Sequence, residues 1–216
     1  MKIKGVVFDL NGTLIWDTPY HNLAFDIFLE KHDIQLTDEE KRIKIHGKTN
    51  PDIMRGIFEH ALSEDEIRNF SIEKESIYQG LIINDLHFAE GVEELFDSLN
   101  QSGIPFTIAT SSDLFNVDFY FREMKLDRWF TREKVIYNDG TLNGKPEPDI
   151  FLRAAARLEL LPAEIVIFED SKAGIVAAES AGAGKIVIVN SNKEDYAEFS
   201  HDSISHFNEV DKVIFS

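Results

Sequence analysis

Three short apolar runs in this 216-residue chain each end in polar, oxygen-bearing side chains. Val6-Val7-Phe8 is followed by Asp9 and Asn11, and the run from Pro105 to Ala109 by Thr110, Ser111 and Ser112. The run from Glu164 to Phe168 is followed by Glu169 and Asp170. Lys145 precedes a helix in Gly144-Lys145-Pro146-Glu147-Pro148-Asp149. If the runs are parallel strands, their polar ends lie along one edge of a sheet, where open α/β sheets bind ligands. Carboxylates gathered there repel one another unless a cation joins them, and an all-oxygen donor set suits Mg²⁺. A lysine and hydroxyls beside them add positive charge and hydrogen-bond donors. That combination suits phosphoryl transfer, which needs charge neutralisation and a nucleophile in line with phosphorus. Singly, each residue has a plain structural reading. Asp9 could form a turn, Thr110, Ser112, Asp170 or Ser171 could cap helices, and Lys145 could be solvated. The combination and its order carry the chemical reading.

The elements that must position these groups alternate in type. Strand one covers about residues 4–9, and residues 14–19 read as a linker. From Tyr20 to about Asn84 the pattern is helical only. Phe25 and Phe28 recur at helical spacing, and Thr37-Asp38-Glu39-Glu40 and Ser63-Glu64-Asp65-Glu66 carry capping-box patterns. Asn50-Pro51 opens a further helix. From Gly91 the rhythm is βα: helix 92–100, strand 105–109, helix 113–125, short strand 135–137, helix 148–158, strand 164–168, helix 172–181 and strand 185–189. Val213-Ile214-Phe215 suggests an edge strand, and the aromatic residues Phe115, Phe119, Tyr120 and Phe121 read as core. Alternating units of this kind imply an α/β fold: a Rossmann-like, mostly parallel sheet with helices on both faces. The expected division is a catalytic core of residues 1–16 and 88–216, interrupted by an inserted α-helical cap of residues 17–87.

Composition narrows the partners. A net charge of −17 opposes broad binding to nucleic acid or anionic membrane. The absence of cysteine removes disulfides and thiolate chemistry. No run is long enough for a signal peptide or a membrane span, so a cytoplasmic protein is expected. A monomer is expected as well, and the phosphoryl-transfer chemistry read above gives it a small phosphorylated metabolite as partner.

With these residues in hand, the chain resembles the haloacid-dehalogenase-like hydrolase superfamily, in its β-phosphoglucomutase-like phosphatase branch. The matching pieces are Phe8-Asp9-Leu10-Asn11-Gly12-Thr13-Leu14, Ile108-Ala109-Thr110-Ser111-Ser112, Gly144-Lys145-Pro146-Glu147-Pro148-Asp149 and Ile167-Phe168-Glu169-Asp170-Ser171. The resemblance implies a phosphoric monoester hydrolase in which Asp9 forms an aspartyl-phosphate. Thr110 would hydrogen-bond the transferring group, and Lys145 would neutralise its charge and orient Asp9. The Mg²⁺ ligands it implies are Asp9, the main-chain carbonyl of Asn11 and Asp170, with Glu169 supporting the metal or Lys145. Ser111 and Ser112 belong to the same phosphate-facing motif. In the cap, Asp17-Thr18 corresponds to the hinge, His21 and Lys74 to groups that meet substrate, and Ile45–Asn50, with Lys48, to the specificity loop.

Two departures matter. β-Phosphoglucomutases place an arginine, which grips a second phosphate, where this chain has Asn50. Family phosphatases also carry a second aspartate, the general acid and base, where this chain has Asn11. An amide hydrogen-bonds there but does not exchange a proton at neutral pH. Three accounts of Asn11 stay open: an introduced Asp→Asn change, a natural member with lost or altered turnover, or a proton supplied by another group such as His21. A non-hydrolytic phosphate-ligand binding protein and a mutase are the alternative functions.

Overall fold

The computed structural model describes residues 2–45, 48–58, 60–211 and 214. These residues form two compact units: Met1–Trp16 with His87–Ser216, and Asp17–Leu86.

The first unit is built on a five-stranded parallel sheet in the order β2-β1-β3-β4-β5. Its strands are β1 (Gly5–Phe8), β2 (Phe106–Ile108), β3 (Ile165–Glu169), β4 (Lys185–Val189) and β5 (Asp202–Ile204). The chain leaves β1 to one side for β2 and returns to its other side for β3. Their polar ends therefore meet at the topological switch point, the usual binding crevice of such sheets. Register places Phe8 beside Ile108 on one flank and Phe168 on the other. The residues that follow these positions thus emerge at one level.

Both faces of the sheet are covered, which is why its strands read as continuous apolar runs. Val7, Ile165, Ile167, Ile186 and Ile188 pack with Phe151 and Ala154 of α7 (Asp149–Arg157) and Ile175 and Ala178 of α8 (Lys172–Ser180). On the other face Phe8 stacks on Phe168 at 5.1 Å and meets Phe96 of α5 (Val92–Gln101) edge-on at 5.2 Å. The site's first carboxylate therefore follows a strand held by rigid aromatic packing.

The second unit holds α1 (Thr18–Lys31), α2 (Asp38–Lys44), α3 (Asn50–Ile57) and α4 (Glu64–Ile82). Both expected capping boxes form, Thr37 with Glu40 and Ser63 with Glu66, while Thr49 caps α3. Phe25, Phe28, Leu29, Ile53, Met54, Ile57 and Ile67 make its core.

Several local expectations need correction. The segment 135–137 is an isolated bridge between Ala109 and Ile136 rather than a strand. β5 went unpredicted, because only Ile204 of its three residues is buried and two of them are polar. Val213 and Phe215 of the expected edge strand lie outside the described residues, and Ile214 sits in a helical turn. In α6 (Leu114–Met124) Phe119, Tyr120 and Phe121 are buried, but Phe115 is 38% exposed. Phe115 stands in the first turn of that helix, where little packs over it.

Candidate active site

Asp9 leaves β1 with its backbone amide bonded to the Phe168 carbonyl at 2.9 Å, so its position follows from the strand pairing. Lys145 donates to Asp9 Oδ1 at 2.5 Å and to Glu169 Oε2 at 2.7 Å. All three side chains are buried, Lys145 to 8% exposure. The other oxygen of Glu169 accepts from the Ser171 amide at 2.9 Å and its hydroxyl at 2.7 Å. Ser171 also accepts from the Gly174 amide, so it caps α8 as well. Asp170 is buried and accepts from the Thr13 hydroxyl at 2.9 Å.

The electrostatics are unbalanced. Burial works against the Lys145 charge, but the carboxylates of Asp9 and Glu169 outweigh it and hold the ammonium above the usual lysine range. Burial, then the charges of Glu169 and Asp9, pushes the Asp170 carboxyl well above the usual aspartate range. The Thr13 bond and the Lys145 charge act the other way. Asp9, Glu169 and Asp170 each offer an oxygen within 4.8 Å of the others. One lysine faces three carboxylates, so a divalent cation would relieve the excess charge. The all-oxygen donor set fits Mg²⁺.

The chain passes close over this cluster at Gly12. Its φ is +80°, and a Cβ there would stand 2.1 Å from Asp170 Oδ2, so only glycine fits. Asn11, just before it, is held by three hydroxyls. Its amide nitrogen donates to Tyr120 at 2.6 Å, and its oxygen accepts from Ser112 at 2.7 Å and Thr110 at 3.2 Å. Thr110 also accepts from the Ser112 amide at 3.1 Å, and Ser111 beside them is exposed. Neither Thr110 nor Ser112 caps α6; Asp113 does. Asp9, Asn11, Thr110, Ser112, Lys145, Glu169 and Asp170 thus share one end of the sheet.

The second unit has its own buried polar cluster. Lys74, whose plain reading is a solvated helix lysine, is 2% exposed. Its ammonium lies 2.9 Å from His21 Nδ1 and 2.9 Å from Glu75 Oε1, and 4.3 Å from the Phe25 ring centre. An ammonium only donates, so His21 Nδ1 accepts. Glu75 Oε1 also accepts from the Asn50 amide at 2.6 Å. His21 stacks on Tyr78, whose hydroxyl donates to Asp17 at 2.5 Å. His21, Asn50 and Lys74 are therefore together. Lys48 is exposed and stands apart from this cluster's bonds, and His46 and Gly47 of the expected specificity loop lie outside the described residues.

The sequence profile of the haloacid dehalogenase-like hydrolases matches residues 3–182. The chain belongs to that family. The hydrolase is 30% identical over 216 residues to hexitol phosphatase A of Escherichia coli, covering 100% of this chain and 92% of that one. It is 32% identical over 190 residues to beta-phosphoglucomutase of Bacillus subtilis, covering 83% and 80%. These relatives set the hydrolase in the β-phosphoglucomutase-like branch. A crystal structure of a HAD hydrolase, family IA, variant 3, from Entamoeba histolytica matches with a TM-score of 0.87 and 33% identity, over 99% of this chain and 97% of that one.

Residues without a chemical signal in the sequence complete the hydrolase's two clusters. Tyr120 reads as core packing on an aromatic helix, and Thr13 stands in the opening motif without a role of its own. Glu75 lay in a strongly charged helix, where one more carboxylate gives no signal. Only the Thr13 position, two residues beyond Asn11 in the opening motif, offered a clue in the chain itself.

Proposed function

We propose that the hydrolase is a Mg²⁺-dependent phosphatase of a small organic phosphate, a sugar phosphate in particular, working through an aspartyl-phosphate on Asp9. The observation that carries this reading is Lys145 bonded to Asp9 and Glu169 with Asp170 alongside, all buried. The names of its relatives, hexitol phosphatase A and the phosphorylated carbohydrates phosphatase of Thermotoga maritima, support the substrate class.

In this reading an Asp9 oxygen attacks phosphorus and the alkoxide leaves. Lys145 orients Asp9 and neutralises charge on the transferring group, and Thr110 with Ser111 and Ser112 donates to the phosphoryl oxygens. Asp9, Asp170, Glu169 and the Asn11 carbonyl would hold Mg²⁺, which when bound supplies charge neutralisation for the phosphoryl oxygens. Residues 17–87 act as the cap, in which His21, Lys48, Asn50 and Lys74 select the substrate. The leaving alkoxide needs a proton, and the water that then attacks phosphorus and releases Asp9 needs a base. Asn11 provides neither, so turnover is reduced by about 10²–10⁴-fold. The protein acts as a monomer in the cytoplasm, without nucleic acid or membrane.

Phosphate release from a panel of phosphate esters, with and without Mg²⁺, tests the reading, with Asn11→Asp run in parallel. A folded, metal-bound Asn11→Asp chain that hydrolyses none of them rules it out. The hydroxyl cage around Asn11 favours a second reading, a binding protein without turnover, which predicts ligand uptake in calorimetry and no product. Multiple turnover by the unchanged chain eliminates that alternative.

A further inference from the structure

The proposed metal ligands sit on two separate segments, residues 9–13 after β1 and residues 169–170 at the end of β3. Lys145, bonded to Asp9 and Glu169, offsets only part of the negative charge that the two segments bring together. Among the described contacts a side-chain bond joins them directly, Thr13 to Asp170. A third segment, the loop after β4, reaches both. Ser191 donates its hydroxyl to the Gly12 carbonyl at 2.6 Å, and Tyr196, 9% exposed, donates its hydroxyl to the Asp170 main-chain carbonyl. Ser191 thereby fixes the Gly12–Thr13 peptide, one residue beyond the Asn11 carbonyl, and Tyr196 fixes the backbone of Asp170 itself.

The loop is anchored at both ends. Asn190 begins it with its amide paired to Ile204 of β5, and Asn190 and Glu194 exchange two bonds across it. Tyr196 packs into the apolar layer that holds Ile186 and Ile188. A rigid brace so attached sets the spacing of the two segments before any cation arrives, and partners of this outer kind are worth about 10–100-fold in metal affinity.

We propose that Ser191 and Tyr196 are positioning residues of the metal site: their hydroxyls hold the Gly12 and Asp170 backbones at the separation that Mg²⁺ requires. The proposal rests on the metal reading given above.

Mg²⁺ titration by calorimetry on the full chain tests it, using Tyr196→Phe, Ser191→Ala, Ser191→Thr and Asp170→Asn. Circular dichroism in chelator first shows which variants fold. The Mg²⁺ Kd is expected to rise about tenfold in Tyr196→Phe and in Ser191→Ala. Ser191→Thr, which keeps a hydroxyl, restores tight binding. Should Tyr196→Phe not fold, the Ser191 pair decides alone. Unchanged Kd values in Ser191→Ala and Tyr196→Phe overturn the proposal, even if both melt earlier, because the hydroxyls would then be merely structural. If the unchanged chain binds Mg²⁺ and only Asp170→Asn loses it, the metal reading stands and this proposal falls. If the unchanged chain takes up no Mg²⁺, both fall.

Discussion

The amide nitrogen of Asn11 donates to the hydroxyl of Tyr120 at 2.6 Å, which ties the first strand's loop to a core helix 109 residues away. Ser112 and Thr110 hold the opposite side of the same amide. An aspartate of equal shape would keep those two bonds and could also receive the Tyr120 proton. Asn11→Asp should therefore fold as the present chain does and raise kcat on a good phosphate ester by about 10²–10⁴-fold. Steady-state phosphate release at saturating Mg²⁺ measures this. Equal rates would show that another group already moves the proton.

Lys145 is the one cation bonded to Asp9 and Glu169 among the described contacts. Its removal leaves buried carboxylates facing one another. Lys145→Ala is expected to lower kcat by about 10²–10³-fold, the usual loss when one charge-stabilising donor goes. It should also destabilise the metal-free protein by about 3–5 kcal/mol, as for other broken buried pairs. Urea denaturation in chelator measures the second effect, and Mg²⁺ should recover part of it. Wild-type stability in chelator would contradict the ion pairing.

Asp170 leads to a pH dependence of definite sign. Burial, with the charges of Glu169 and Asp9, keeps its carboxyl protonated in the folded chain at pH values where the unfolded chain has lost that proton. Below the unfolded value both states carry the proton and nothing is lost. As pH rises from there through the raised folded value, the unfolded state is favoured and this contribution to stability disappears. In chelator, Asp170→Asn should lack that decline and melt higher than the unchanged chain at neutral pH. Mg²⁺ competes with the proton, so its Kd should rise as pH falls, and it should raise the melting temperature of the unchanged chain only. Parallel melts across pH, with and without Mg²⁺, check all three statements. A chelated Asp170→Asn chain that melts no higher at neutral pH would falsify the account.

Glu75 holds both Lys74 and Asn50 on one buried oxygen. Glu75→Ala should cost the second unit about 3–5 kcal/mol, because the buried Lys74 ammonium loses its carboxylate partner and is left with His21 and the Phe25 and Tyr78 rings among its described neighbours. Glu75→Gln, which keeps an acceptor, should cost less. Thermal and urea melts of the full chain rank the two, and equal losses would argue against an ionic role.

Much of the architecture was legible because the physics is local. Strands buried on both faces read as apolar runs, and Thr37 and Ser63 stood where helix starts need side-chain acceptors. The polar residues closing β1, β2 and β3 declared themselves because a buried strand that ends in carboxylates or hydroxyls needs a reason. β5 did not declare itself, since an edge strand with polar residues is stabilised by its neighbour and not by its own pattern. Phe115 misled because helical spacing marks a face without saying whether anything covers it.

What the chain by itself determined was the parallel α/β core, the helical interruption and the set of groups that suits phosphoryl transfer. All of these follow from residue type and short-range periodicity. Tertiary structure alone decided which groups hold those residues: Tyr120 and Ser112 around Asn11, Glu75 under Lys74, Ser191 and Tyr196 across two segments. Each of these except Glu75 with Lys74 joins positions far apart in sequence. A hydrogen bond between distant residues leaves no periodic trace, because its geometry exists only once the sheet and its helices have brought the partners within about 3 Å.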